Sequence, residues 1–85
     1  MFRITYKKHA TKYLQRMPEH KALKFTEAFR LIADGKDGSL NITSFQGLDN
    51  GYRLRLGDYR AIYTKIEKTL TIEVIKIGTR GEIYK

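Results

Sequence analysis

Apolar and polar positions alternate from Tyr52 to Leu56 and the alternation resumes from Tyr59 to Tyr63. Between the two runs lies Gly57-Asp58, a pair suited to a two-residue primed turn, so the stretch predicts a β-hairpin. A two-residue loop fixes the register. Leu56 then faces Tyr59, Arg55 faces Arg60, Leu54 faces Ala61, Arg53 faces Ile62 and Tyr52 faces Tyr63. Side chains alternate across a strand, so Tyr52, Leu54, Leu56, Tyr59, Ala61 and Tyr63 share one face. Arg53, Arg55 and Arg60 share the other. Like charges directly opposite on a sheet are destabilising. A small domain that accepts three of them is expected to set them against something anionic.

The rest of the chain follows from the same kind of reading. Phe2 to Tyr6 alternates and is rich in β-formers, which predicts a first strand. Ala10, Tyr13, Leu14 and Met17 recur at helical spacing, with Lys7, Lys8, Lys12 and Arg16 on the wet side, which predicts a short amphipathic helix ended by Pro18. A second helix is expected from about Glu19 to Asp34, carrying Ala22, Phe25, Ala28, Phe29, Ile32 and Ala33, with Gly35 as its C-terminal cap. Residues 35–50 are rich in Gly, Asp, Ser and Asn and read as a loop, with a short extended piece at Leu40 to Phe45.

After the hairpin, Glu67-Lys68 reads as the next turn. Leu70 to Ile77 reads as a strand in which Val74 faces Ala61 and Ile72 faces Tyr63. That register keeps the apolar face continuous and sets Glu73 across Ile62 from Arg53. Gly78-Thr79-Arg80-Gly81 ends the strand, and residues 82–85 read as a short tail. The order is βααβββ, an α+β domain in which two helices cover one face of an antiparallel sheet.

The 85 residues are expected to form a single domain, residues 1–85, and the hydrophobic content of 41% supports one modest core. The net charge of +8 is large for this length and points to a polyanionic partner. With no cysteine, disulfides and thiolate zinc sites are excluded, in keeping with a cytoplasmic protein. Met1 to His9 shows no apolar signal segment. No apolar run approaches the roughly 20 residues that span a bilayer, so no membrane partner is expected.

Each candidate residue has two readings at this point. The three arginines are either a solvated sheet face or an anion site; guanidinium groups hold phosphates by bidentate hydrogen bonds. Arg80 follows the last strand and can swing toward the same face. Tyr84 is either an exposed aromatic or a group that stacks on a base or donates to a phosphate. Glu73 and Glu82 are either surface ion-pair partners or a general base for a ribose 2′-hydroxyl. His9 and His20 belong to the helices and read as surface residues. No metal-ligand spacing, glycine-rich phosphate loop or Ser-His-Asp arrangement is present, so no cofactor is expected.

The run Tyr52 to Tyr63, followed by Ile77-Gly78-Thr79-Arg80-Gly81-Glu82-Ile83-Tyr84, resembles the RelE family of toxins from bacterial toxin–antitoxin pairs. The resemblance extends over nearly the whole chain in length and element order. The hairpin motif is shared across the RelE/ParE superfamily, and its basic residues favour the RelE branch over the gyrase-poisoning ParE branch. The resemblance implies a microbial-ribonuclease-like fold and metal-independent cleavage of mRNA in the ribosomal A site by attack of the 2′-hydroxyl. Carried over by motif, the catalytic residues are Arg53, Arg55, Arg60, Arg80 and Tyr84, and the four arginines also bind RNA. The implied partners are a cognate antitoxin, mRNA and the small ribosomal subunit, with the toxin–antitoxin complex binding operator DNA through the antitoxin.

Two departures from the family pattern bear on mechanism. Lysine is frequent where this chain has Arg53 and Arg55, and an arginine is a poor general base at neutral pH. Both are therefore cast as phosphate and transition-state stabilisers, with the base unassigned. Many relatives have histidine before the last arginine, where this chain has Thr79. The leaving-group proton then falls to Arg80, Tyr84 or the ribosome. The sequence also stops just after Tyr84, without the C-terminal helix of some relatives. A ParE-like toxin that poisons gyrase without nuclease activity is the alternative, and a non-catalytic RNA-binding module is a third.

Overall fold

A computed structural model describes residues 1–83. The elements are β1 (Arg3–Tyr6), α1 (Lys8–Arg16), α2 (Glu19–Ala33), β2 (Asn41–Ser44), β3 (Gly51–Leu56), β4 (Tyr59–Ile66), β5 (Thr71–Thr79) and α3 (Arg80–Ile83). The strands form one sheet in the order β1-β5-β4-β3-β2. The α+β class is as the sequence predicts, and both long helices lie where the periodicity puts them. Two details differ. The first strand joins the edge beside β5 and runs parallel to it, so the sheet is mixed. The extended piece in the glycine-rich segment is a true strand, β2, paired antiparallel to β3.

The helices start and stop for local reasons. Pro18 separates α1 from α2, since its ring cannot continue the first helix but suits the start of the second. Gly35 takes φ 73° just beyond α2. Its N–H donates to the Ile32 carbonyl at 3.1 Å, and the Lys36 N–H donates to the Leu31 carbonyl at 2.8 Å. That pair of bonds is the Schellman arrangement, which satisfies carbonyls the helix leaves open.

The core lies between the helices and the inner face of the sheet. Phe29 of α2 packs edge-on against Tyr63 at 5.4 Å and against Tyr6 at 6.0 Å. Phe25 meets Tyr59 at 6.2 Å in the same manner. These edge-to-face contacts suit the ring quadrupoles and add to the area buried. Leu54, Ala61, Ile72, Val74 and Ile77 line the sheet side with no exposed surface. Each large side chain among them stabilises the fold by roughly 1.5–3 kcal/mol.

The β3–β4 hairpin has the predicted register at every position from Tyr52 to Tyr63. Gly57 adopts φ 59° and Asp58 keeps a negative φ, as the glycine-first II′ loop requires. The β4–β5 register is a correction. The connection is not Glu67-Lys68 alone but a 3-10 turn over Glu67–Thr69 closed by Leu70 at φ 50°. Ile66 therefore pairs with Thr71, two positions later than a two-residue loop allows. A bulge opposite Ile62 and Tyr63 then leaves Ile75 unpaired and shifts the strand by one more residue. As a result Ile77, not Val74, faces Ala61, and Val74, not Ile72, faces Tyr63. Lys76 points to the outer face opposite Ile62, where Glu73 was expected; Glu73 instead pairs with Thr64 and Thr5.

The end of β5 is a second correction. The strand runs to Thr79 rather than ending at Ile77, and α3 follows directly. Ile83 is buried, so the segment from Thr79 to Ile83 is part of the packed structure rather than a loose tail.

Candidate functional site

The outer face of the hairpin places Arg53 and Arg55 on β3 and Arg60 on β4, with Arg55 directly opposite Arg60. Arg80 opens α3 at the end of β5, beside the start of β4, because Tyr59 pairs with Thr79. Together with Asn41 and Thr43 of β2, these four arginines line one open depression of about 360 Å³. Among the described residues its lining has four guanidinium groups and no carboxylate.

Local structure explains how each arginine is held. Arg60 Nη1 donates to the carbonyls of Gly57 and Tyr59, both at 3.2 Å, which folds its guanidinium back over the turn. Desolvation, with repulsion from Arg55, Arg53 and Arg80, lowers the pKa of Arg60, and Asp58 partly offsets this. The mutual repulsion is the electrostatic consequence of crowding four charges in one place. Arg53 is half-buried and Arg55 exposed. Ile62 is 5% exposed even though it points to the outer face. Its register neighbours Arg53 and Lys76 carry the long aliphatic stems that can cover it while their charged ends stay in water.

The other candidates fall elsewhere. Glu73 lies toward the β1 edge, away from the depression. Glu82 is occupied structurally. Its Oε1 accepts the Thr79 N–H at 2.9 Å, the Thr79 hydroxyl at 2.9 Å and the Tyr13 hydroxyl at 2.6 Å. Thr79 and Glu82 stand at the two ends of a Thr-x-x-Glu capping box, with the glutamate reaching back to the capping N–H. Burial, then the hydrogen bond and charge of Glu82, push the Tyr13 phenol up to about 12. His9 and His20 are exposed, and His9 stacks on Tyr13 at 6.5 Å. Tyr84 lies outside the described residues. Among the described residues no three His, Asp or Glu side chains gather as a metal would need. No helix among them is long and apolar enough to cross a membrane.

Sequence reasoning missed two residues that line the depression, Asn41 and Thr43, and one more on the outer face, Lys76 opposite Ile62. Asn41 and Thr43 alternate with the half-buried Ile42, a period-two signal too short to fix a strand. Lys76 was hidden by the bulge, although the adjacent apolar pair Val74-Ile75 marks where alternation breaks.

A two-helix layer on a mixed five-stranded sheet, with an arginine-lined outer face, defines a small basic α+β domain built to meet an anion. Comparison with known families is consistent with this: residues 4–84 match the family described as ParE toxin of type II toxin-antitoxin system, parDE. Among solved structures, the archaeal RelE-RelB complex from Pyrococcus horikoshii OT3 matches at 32% identity and TM-score 0.77, over 94% of this chain and 96% of that one. The intact E. coli RelBE toxin-antitoxin complex matches at 16% identity and TM-score 0.79, over 93% and 96%. The isolated E. coli RelE toxin matches at 17% identity and TM-score 0.78, over 99% and 92%. Comparison with curated proteins gives no match. The chain belongs to the RelE family within the RelE/ParE superfamily of type II toxins.

Proposed function

We propose that this toxin is a ribosome-dependent mRNA endonuclease whose arginine-lined depression holds the scissile phosphodiester in the ribosomal A site. The observation that carries the reading is the convergence of Arg53, Arg55, Arg60 and Arg80 on one depression with no carboxylate among the described residues of its lining. In this reaction the 2′-oxygen forms a bond to phosphorus and the bond from phosphorus to the 5′-oxygen breaks. The 2′-hydroxyl proton leaves, and the 5′-oxygen gains a proton. A cyclic 2′,3′-phosphate and a 5′-hydroxyl end result.

Negative charge accumulates on the phosphoryl oxygens during this exchange, where preorganised cations stabilise the transition state more than the ground state. Arg53, Arg55 and Arg60 are assigned to that role, and Arg80 reaches the phosphate from the other side of the depression. With four like charges close together, bringing in a dianionic phosphorane relieves repulsion already present. Glu82 is engaged with Thr79 and Tyr13, and Glu73 lies toward the β1 edge, away from the depression. The proton-accepting base is therefore assigned to the ribosome–mRNA complex rather than to a carboxylate of this chain, which makes cleavage of free RNA slow. Tyr84 retains its sequence-based role as a stacking or proton-donating group.

The same cationic face is the surface an acidic or amphipathic antitoxin segment would cover, and the resulting complex would bind operator DNA through the antitoxin. Both roles belong to a cytoplasmic protein. Primer extension on mRNA after induced expression tests the reading: discrete cuts within translated codons are expected, and purified ribosomes should restore cleavage that free RNA lacks. A second reading has a specific observation behind it, the match of residues 4–84 to the ParE toxin family. On that reading expression would damage DNA and halt replication while mRNA stays intact.

A further inference from the structure

Tyr13 stands on α1 and lines no part of the arginine depression, yet it is bonded to the segment that carries Arg80. Its hydroxyl donates to Glu82 Oε1 at 2.6 Å, the oxygen that also accepts both Thr79 donors. Three donors from two elements thus converge on one atom. Arg80 lies between Thr79 and Glu82 in the chain, inside the turn these bonds close. Gly78 leaves room for the turn, because a Cβ there would stand 3.1 Å from the Cβ of Glu82. The Tyr13 ring is itself fixed edge-on by Tyr59 at 6.3 Å, and Tyr59 pairs with Thr79.

We propose that Tyr13 and Glu82 are positioning residues, and that the Tyr13–Glu82–Thr79 clasp fixes the turn that presents Arg80 to the scissile phosphate. The inference rests on the ribonuclease reading and names the part of the protein that orients one of its cations. A four-residue helix does not sustain itself, because nucleation is costly and few internal bonds repay it. The clasp supplies the missing restraint from α1, outside the sheet. A guanidinium held in place loses less freedom on meeting the transition state than one on a frayed strand end. A phenol is protonated, and so able to donate, throughout the neutral range, and burial and Glu82 raise the Tyr13 pKa further.

Tyr13→Phe removes the hydroxyl and keeps the ring. Single-turnover cleavage of ribosome-bound mRNA by the full chain is expected to slow by about 10- to 100-fold. The half-saturating concentration should hardly change, because Arg53, Arg55 and Arg60 still bind. Glu82→Gln retains an acceptor oxygen and should keep more activity than Glu82→Ala. The Thr79 amide should exchange with solvent faster in Tyr13→Phe. Ile72→Val, a mildly destabilising core change remote from the clasp, serves as control and should cleave at the wild-type rate while folded. Wild-type cleavage by Tyr13→Phe overturns the proposal, as does a loss shared equally by Ile72→Val or one confined to binding. If the wild-type protein does not cut ribosome-bound mRNA, the ribonuclease reading falls. The clasp is then judged on the Arg80 Nε–H resonance titrated with a 2′-deoxy oligonucleotide. A response in wild type that Tyr13→Phe loses supports the positioning role, and an equal response in both overturns it.

Discussion

The two faces of the β3–β4 hairpin are built from alternate residues of the same strands and obey opposite rules. On the inner face, Leu54 and Ala61 are fully buried, and Tyr59 and Tyr63 meet Phe25 and Phe29 edge-on. On the outer face, Arg55 opposes Arg60, with Arg53 and Arg80 close enough to depress the Arg60 pKa. The inner face gains free energy from every contact; the outer face holds charges that would separate if the strands allowed it. Burial of one face therefore supplies the rigidity that keeps the other in an unfavourable, preorganised state. Stability and activity should accordingly separate by the face of the hairpin on which a residue lies.

The strongest test of that separation is Leu54→Ala on the inner face. Removing a fully buried leucine is expected to destabilise the fold by about 2–5 kcal/mol, read by denaturant unfolding, and to abolish activity only through unfolding. Arg60→Ala should do the reverse. Cleavage of ribosome-bound mRNA should fall by roughly 10²- to 10³-fold. Stability should hardly change, since relief of repulsion from Arg55 offsets the lost bonds to Gly57 and Tyr59. An Arg60→Ala variant that unfolds, or one that cuts normally, breaks the comparison.

Lys76→Glu sharpens it further, by restoring at this position the charge that the sequence alone suggests for the outer face. RNA affinity should weaken, and the slope of log affinity against log salt should shrink by at least about 0.7, the share of one single-strand phosphate contact. The smallest effect concerns pH. The folded-state pKa of Tyr13 is raised from 10.0 to about 12, so the neutral phenol is favoured in the fold. That contribution is complete below about pH 10 and is lost as pH rises through about 12. Tyr13→Phe should flatten the alkaline fall in stability in that window without removing it, because burial also raises the Tyr63 pKa, with help from Asp37 and Tyr52.

How far the molecule was legible depended on what set each register. Gly57-Asp58 encodes its turn chemically, so the hairpin and its three arginines could be placed pair by pair. The β4–β5 connection has no such code. Leucine at φ 50° is a conformation that L side chains rarely adopt, and nothing about Leu70 announces it. The bulge left a faint mark in Val74-Ile75, and with it went the exchange of Glu73 for Lys76. The Thr79-Arg80-Gly81-Glu82 capping signature was present in the sequence, but a four-residue turn is short enough to pass for loop. Its partner Tyr13 is 69 residues from Glu82, a separation that local pattern cannot bridge.

The place of β5 in the sheet also bears on the order in which the molecule assembles. Helices α1 and α2 and the β3–β4 hairpin can form from near neighbours as the chain is made. The sheet becomes continuous only when β5 enters between β1 and β4, which joins Arg3 to Thr71. Closing so long a loop is slow compared with local pairing. Arg80 lies beyond that strand, so a partly synthesised chain lacks both the strand that links β1 to the hairpin and the fourth cation of the depression. On the proposed function, a nascent toxin is harmless to the ribosome that makes it until β5 and Arg80 have both emerged.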